Sequence, residues 1–237
     1  MKIILKNIDS DDKAYWLGWL FSDGCLNEKR NSIFLGLAKK DREIIENFRK
    51  YLKSNKPIQE YKGKDNREIG FGISKGLFIF SFDNKKIATD LKRVGMKQKK
   101  SLTLEFPKIK ERLFFPFMRG FIEGDGWIFM NKCNKFCVGF LGTKEFTISA
   151  LNIFKKYGFT FNVRRTHENG DKNVNMFTSV TCAKQDCLNL LDLLYKDCGD
   201  LFLTRKRNNY LKMKEYFKLN PHKTVHIKRR PKTVNFN

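Results

Sequence analysis

Hydrophobic and polar positions alternate along the chain in a pattern that predicts two halves with the same order of helices and strands. In residues 41–53, for example, an apolar residue recurs every three or four positions, which is the spacing of one helical face. The predicted helices are residues 13–23, 41–53, 85–94, 114–125, 145–157, 185–196 and 204–217. The predicted strands are residues 25–29, 32–38, 57–62, 67–73, 77–83, 126–131, 135–142, 159–167 and 173–182.

Local signals set the limits of these elements. Asp11 or Asp12 is the candidate N-cap of the first helix, because an acceptor there binds the free N–H groups of the first turn. Gly95 is the candidate C-cap of the helix at 85–94. The predicted division is a first unit at 1–102, a linker at 103–113, a second unit at 114–217 and a basic, flexible tail at 218–237.

One short motif occurs in both halves. Residues 16–24 read WLGWLFSDG and residues 118–126 read MRGFIEGDG, at an offset of 102, which pairs Asp23 with Asp125. Two more matches follow in the same order at an offset of 106: FRKY at 48–51 with FKKY at 154–157, and Lys100 with Lys206. Three matches in one order predict a duplicated unit of about a hundred residues.

Each copy of the motif places two small residues four positions apart on a helix. These are Gly18 and Ser22 in the first copy, and Gly120 and Gly124 in the second. Small residues at this spacing let two helix backbones approach closely. If the two helices pair in this way, their carboxyl ends lie side by side.

Asp23 and Asp125 would then meet at those carboxyl ends. A helix carboxyl end already carries partial negative charge, and a second carboxylate nearby raises the electrostatic cost. A divalent cation removes both penalties, and Mg²⁺ is commonly held by one or two carboxylates, waters and phosphate oxygens. A single Asp-Gly pair is typical of a helix stop or turn. Because the whole pattern occurs twice, we favour a metal site.

The charge of the chain indicates a polyanionic partner. Lys and Arg number 48 against 25 Asp and Glu, which gives a formal net charge of +23. A hydrophobic content of 41% excludes wholesale disorder. No run approaches the roughly 20 apolar residues that span a bilayer, and the apolar run near Met1 is too short for a signal peptide. We therefore expect an intracellular protein without a membrane partner, its compartment left open.

The six cysteines contain no Cys-x-x-Cys pair. In an intracellular protein we expect them to be reduced, and we interpret them as small buried hydrophobic residues. Zinc ligation by Cys133 and Cys137, or by His222 and His226, is the less favoured alternative.

Two carboxylates, Mg²⁺ and an excess of lysine together indicate hydrolysis of phosphodiester bonds. Metal ions activate water and stabilise a leaving oxygen, and lysines offset the charge of the phosphate in the transition state.

With this chemistry in view, the two motifs resemble those of single-chain LAGLIDADG homing endonucleases, over a region from about Ala14 to Tyr216. The second motif is the closer match. The first departs from the family at Trp19, Phe21 and Ser22, although Ser22 remains small enough for a helix interface. The resemblance implies an α+β fold of two αββαββα units, related by a pseudo-twofold axis, whose antiparallel sheets form a DNA-binding saddle.

The resemblance also implies site residues and partners. Asp23 and Asp125 are the expected metal ligands, helped by the carbonyls of Ser22 and Gly124. Lys100 and Lys206 are the expected catalytic lysines, with Lys184 as a rival. The expected cofactor is Mg²⁺, for which Mn²⁺ or Ca²⁺ substitutes in binding. The expected partner of a monomeric chain is double-stranded DNA with an asymmetric sequence, and intron RNA is an open alternative.

Polar residues in and beside the strands are the candidate contacts to DNA. Alternate side chains of a strand in a major groove point at bases, while a solvated outer face is the competing interpretation. The candidates are Asn27, Lys29, Arg30, Ser32, Lys62, Lys64, Arg67, Lys132, Asn134, Lys135, Arg164, Arg165 and His167.

Two other functions remain open for this scaffold. One is an RNA-binding intron maturase, and the other is a sequence-specific DNA-binding regulator without catalysis. Retention of both Asp23 and Asp125 favours the nuclease, because a regulator has no need of a metal site.

Overall fold

A computed structural model describes residues 7–63, 76–166 and 175–220. In this part of the chain the first half contains α1 (Asp11–Ser22), β1 (Gly24–Asn27), β2 (Ser32–Ala38), α2 (Arg42–Tyr51), β3 (Gln59–Tyr61), β4 (Leu77–Asp83) and α3 (Lys85–Arg93). The second half contains α4 (Phe114–Asp125), β5 (Gly126–Met130), β6 (Phe136–Gly142), α5 (Lys144–Lys156), β7 (Asn162–Arg165), β8 (Phe177–Thr181), α6 (Lys184–Leu194) and α7 (Thr204–Leu219). Short 3₁₀ turns lie at Lys39–Asp41, Lys100–Leu102 and Glu111–Leu113.

The two halves have the same sheet topology. The strand orders are β1-β2-β4-β3 and β5-β6-β8-β7, and every neighbouring pair is antiparallel. This arrangement confirms the predicted α+β class and the duplicated αββαββα unit. The predicted strand at 67–73 lies outside the described residues, as do Lys64, Arg67, His167 and the tail from 221 onwards.

The centre of the molecule is the contact between α1 and α4. Every residue of α1 from Ala14 to Ser22 is buried, so this helix is surrounded by protein. A Cβ placed on Gly18 would overlap the carbonyl oxygen of Phe117, and one on Gly120 would overlap the carbonyl oxygen of Tyr15. The close approach predicted from the small residues is therefore confirmed.

Aromatic side chains fill the space between this helix pair and the sheets. Phe121 of α4 stacks on Phe146 of α5, with ring centroids 4.2 Å apart. In the first half, Trp16 of α1 lies 5.0 Å from Phe48 of α2. Such pairs add about 0.5–1.5 kcal/mol each beyond the area that they bury. They hold the motif helices in a fixed position relative to both sheets.

The structure corrects the prediction of the first N-cap and confirms the C-cap. Ser10, rather than Asp11 or Asp12, precedes the helix with extended backbone, and its hydroxyl accepts from the N–H of Lys13. The two aspartates lie in the first turn instead, where negative charge favours the helix dipole. Gly95 follows α3 with a φ of +106°, which suits a glycine C-cap.

The interpretation of all six cysteines as buried residues was wrong. Cys187 and Cys198 are buried, but Cys25, Cys133 and Cys182 are exposed and Cys137 is half-buried. All six are free thiols. No helix among the described residues is both long enough and apolar enough to cross a membrane.

Candidate active site

The paired motif helices bring the two aspartates together at their carboxyl ends. Asp23 directly follows α1, and Asp125 is the last residue of α4. One carboxylate oxygen of Asp23 lies 2.5 Å from the position that a Cβ on Gly124 would occupy. The same Cβ would overlap the hydroxyl oxygen of Ser22, so a side chain at position 124 would have to displace Ser22 as well as the carboxylate of Asp23.

The two carboxylates share an unfavourable electrostatic environment. Burial, followed by the charge of Asp125, raises the pKa of Asp23 to about 6. Burial also raises the pKa of Asp125, while the ammonium groups of Lys100 and Lys206 act in the opposite direction. This balance is the expected result of placing two like charges near one another among protein atoms.

The donor set suits a hard divalent cation. The carboxylate of Asp125 accepts no hydrogen bond from the described residues, and that of Asp23 has only the hydroxyl of Ser22, at 3.4 Å. In the described ranges no three or more His, Cys, Asp or Glu residues are arranged so that together they could hold a metal ion. A cation at this position would take two carboxylates from the protein and complete its shell with water and phosphate oxygens, as Mg²⁺ does.

Lys100 and Lys206 lie at the ends of the two motif helices. The ammonium group of Lys100 donates to the carbonyl of Ser22 at 2.6 Å. The ammonium group of Lys206 donates to the carbonyls of Ile122, Glu123 and Gly126 at 2.6–2.7 Å. Ser22, Ile122 and Glu123 lie in the last turns of the motif helices, and Gly126 is the first residue of β5. A cation at a helix carboxyl end binds carbonyls there and offsets the helix dipole.

Burial lowers the pKa of both ammonium groups. For Lys206 burial, together with the neighbouring charge of Arg205, lowers the pKa to about 8. For Lys100 burial lowers the pKa, although Asp125 and Asp23 act to raise it. The rival Lys184 lies over the rings of Tyr216 and Phe136, at 4.8 and 5.7 Å. The structure therefore groups Lys100 and Lys206 with the aspartates and leaves Lys184 elsewhere.

The fold has clear relatives among solved structures. Meganuclease I-SmaMI bound to uncleavable DNA aligns over 90% of this chain and 92% of its own, with 10% identity and a TM-score of 0.58. The LAGLIDADG homing endonuclease I-GzeII in complex with its DNA target aligns over 90% and 93%, with 11% identity and a TM-score of 0.57. The chain has the LAGLIDADG homing endonuclease fold.

Full-length DUF199/WhiA from Thermatoga maritima is also similar. It aligns over 92% of this chain and 70% of its own, with 15% identity and a TM-score of 0.51. No protein-family model and no curated sequence matches the chain. The likeness to the LAGLIDADG structures therefore establishes the fold, and the activity has to be argued from the site.

The position of Lys206 predicts a structural effect that is separable from chemistry. Lys206→Met removes a buried ammonium group and leaves three carbonyls without their donor, so we expect a loss of about 2–5 kcal/mol of unfolding free energy. Chemical denaturation measures this loss. Lys212→Met, at an exposed position of the same helix, is the matched control. Equal stability of the two variants would show that Lys206 does not hold the end of α4.

A buried polar network that the sequence analysis missed ties the motif helices to α6. Glu123 accepts hydrogen bonds from the hydroxyls of Tyr15, at 2.8 Å, and Tyr195, at 3.0 Å. Burial raises the pKa of Glu123. The guanidinium of Arg119 lies 5.0 Å from the ring of Tyr15 and donates to the carbonyl of Leu194. The available signal was a pair of charged residues, Arg119 and Glu123, inside a motif helix that is otherwise mostly apolar.

Helix α7 links the two halves and so positions Lys206. The guanidinium of Arg205 donates twice to the carboxylate of Asp41, at 2.6 and 2.8 Å. The N–H and hydroxyl of Thr204 both donate to the carboxylate of Glu43. These contacts join the start of α7 to the start of α2, which no sequence pattern predicted.

The candidate DNA contacts fall into three groups. The exposed basic residues of the β1–β2 and β5–β6 turns and of the segment after β3 are Lys29, Arg30, Lys132, Lys135 and Lys62. Asn27, Ser32 and Asn134 are less available: Asn27 accepts from the N–H of Arg30, Asn134 is half-buried, and the buried hydroxyl of Ser32 donates to Asp83. Arg164 and Arg165 are exposed on β7. Their roles in binding stay predictions.

Proposed function

We propose that the chain is a site-specific endonuclease that hydrolyses phosphodiester bonds in double-stranded DNA. Mg²⁺ is the proposed cofactor, and Asp23 and Asp125 are its proposed ligands. The observation that carries this proposal is the meeting of two repeat-related carboxylates, with few hydrogen-bond donors, between the half-buried Lys100 and the buried Lys206.

Each group has a distinct part in the proposed reaction. The bound metal supplies Lewis-acid activation of water and stabilisation of the leaving oxygen. Asp23 and Asp125 hold it at the interface of the two repeats. Lys100 and Lys206 fix the helix ends that carry these aspartates and place positive charge beside the reacting phosphate. The expected carbonyl ligand of Ser22 already accepts from Lys100, so the carboxylates are the stronger candidates.

Double-stranded DNA is the proposed partner for two reasons. The relatives I-SmaMI and I-GzeII were crystallised with DNA, and the formal net charge of +23 suits a partner that carries a phosphate backbone. The two sheets present different sequences, so the proposed target is long and asymmetric.

A cleavage assay on long DNA fragments tests this function. The fragments should include the sequence that flanks the gene, joined without the gene itself. We expect one discrete double-strand cut in Mg²⁺ and none after chelation with EDTA. Tight binding to one sequence without any cut would instead support a regulator. Specific binding to intron RNA alone would support a maturase.

A further inference from the structure

Large apolar side chains lie among polar ones on the outer faces of the two sheets. The inner faces pack on helices, as shown by Phe80 against Phe48 and by Phe140 against Phe146. Strand register then assigns the opposite face. Six large apolar residues on it, here called the apolar outer patch, are Phe34, Leu77, Ile79, Trp127, Phe129 and Leu141.

These side chains are accessible to a partner. Leu77 is 38% exposed and Phe129 is 42% exposed, and the other four are partly buried but retain exposed area. Trp127 lies across the outer face, because a Cβ on its strand partner Gly139 would meet the indole ring at 2.5 Å. Each outer face carries three of these residues, and groups of exposed large apolar side chains mark binding sites.

Basic side chains at the ends of the strands identify the chemistry of the partner. Lys29 and Arg30 lie in the turn after β1, and Lys132 and Lys135 lie in the turn after β5, all exposed. Arg164 is exposed on the outer face of β7. An apolar centre with a positive border fits the major groove of DNA, where bases lie between two phosphate backbones.

Within the major groove, an apolar side chain has one matching group. All four bases present hydrogen-bonding groups there, and only thymine presents a methyl group as well. An apolar residue placed against a G·C pair strips water from polar groups and meets no apolar group in return, which costs free energy. The same residue placed against a thymine methyl group buries apolar surface on both sides.

We propose that the apolar outer patch reads the C5-methyl groups of thymine, so that both arms of the target are rich in A·T pairs. This inference rests on the proposed binding of double-stranded DNA. It adds the chemical class of the bases that are read.

Deoxyuridine substitution provides the direct test, since it removes the methyl group and keeps the base pair. Bound duplexes are first selected from a randomised pool by the Asp125→Asn protein. Thymines in each selected arm are then replaced singly by deoxyuridine. We expect A·T-rich arms, and an affinity loss of about fourfold for each contacted methyl group. Replacement of thymine outside the arms serves as the control and should leave the affinity unchanged.

A matched pair of variants assigns the contact to the patch. Phe129→Ser should lower affinity for the thymine duplex and abolish the difference between thymine and deoxyuridine at one position. Tyr157→Ser, at a similarly exposed aromatic residue that ends α5, should change neither quantity. Thermal melting of both proteins verifies that the fold is intact.

Three outcomes would overturn the inference, and they differ in what they say of the proposed function. Selected arms rich in G·C, or full affinity for every deoxyuridine duplex, would reject thymine reading and leave the endonuclease proposal standing. Selection of no duplex at all would reject both. Preference for single-stranded RNA, which lacks the methyl group, would assign the aromatic residues to base stacking instead.

Discussion

Asp125→Asn is expected to abolish double-strand cleavage while DNA affinity stays close to that of the wild type. The amide has the same shape as the carboxylate but lacks the negative charge that would hold Mg²⁺. Since Asp125 lies at the helix interface and not on a sheet face, no base contact is lost. We expect the cleavage rate to fall by about a thousandfold or more, equivalent to about 4 kcal/mol of activation free energy. Asp23→Asn should behave in the same way.

Supercoiled plasmid carrying the target separates the possible results. Single-turnover assays count nicked and linear products for each variant, and Asp200→Asn, at an exposed loop position, is the control that should retain full activity. Nicking by either single variant would mean that each aspartate serves mainly one DNA strand. Persistent linear product from both variants would remove the aspartates from the proposed mechanism.

The sequence predicted that the two aspartates meet because the motif that carries them is repeated. Asp23 and Asp125 come after the same apolar pattern, and Gly18 and Gly120 give the spacing that brings the helices together. The structure then places the two carboxylates near enough for the charge of Asp125 to raise the pKa of Asp23. A local motif that occurs twice carries long-range information, because the two copies pack on each other.

Contacts without such a repeat could not be predicted. Glu123 and Tyr15 are 108 positions apart, and Asp41 and Arg205 are 164 apart. Periodicity assigns a residue to a helix face but does not name the residue that it meets. The first N-cap failed for a local reason: Ser10, Asp11 and Asp12 are three consecutive good caps, and only the backbone geometry distinguishes them.

The apolar residues of the outer sheet faces could not be predicted from the sequence for a different reason. Strand β4 reads LFIFSFD, which is apolar on both faces, so alternation does not indicate which face is covered. The predicted DNA contacts are therefore polar residues, most of which lie in turns and at strand ends. The register of β4 with β2 and β3 was needed to show that Leu77 and Ile79 lie on the open side.

Gly120→Leu is expected to destabilise the protein by about 3 kcal/mol or more, the upper part of the range for overpacked cores. The first atom of any side chain at this position would overlap the carbonyl oxygen of Tyr15. That oxygen belongs to the backbone of a helix buried on all sides, so it has little freedom to move. We expect thermal melting to fall by roughly 6–12 °C for a chain of this size.

Two further variants make the stability result specific to the helix interface. Gly36→Leu adds the same side chain to an outer sheet face, where a Cβ meets its nearest neighbour at an ordinary 3.5 Å, and should melt close to the wild type. Gly120→Ala gives a smaller effect of the same sign if the leucine variant does not fold. Wild-type melting of both Gly120 variants would contradict the helix contact. This contact also sets the separation of Asp23 and Asp125. A Gly120→Ala protein that is fully folded at the assay temperature should therefore still cleave DNA more slowly than the wild type. That result would connect the packing of the two repeats to the proposed chemistry.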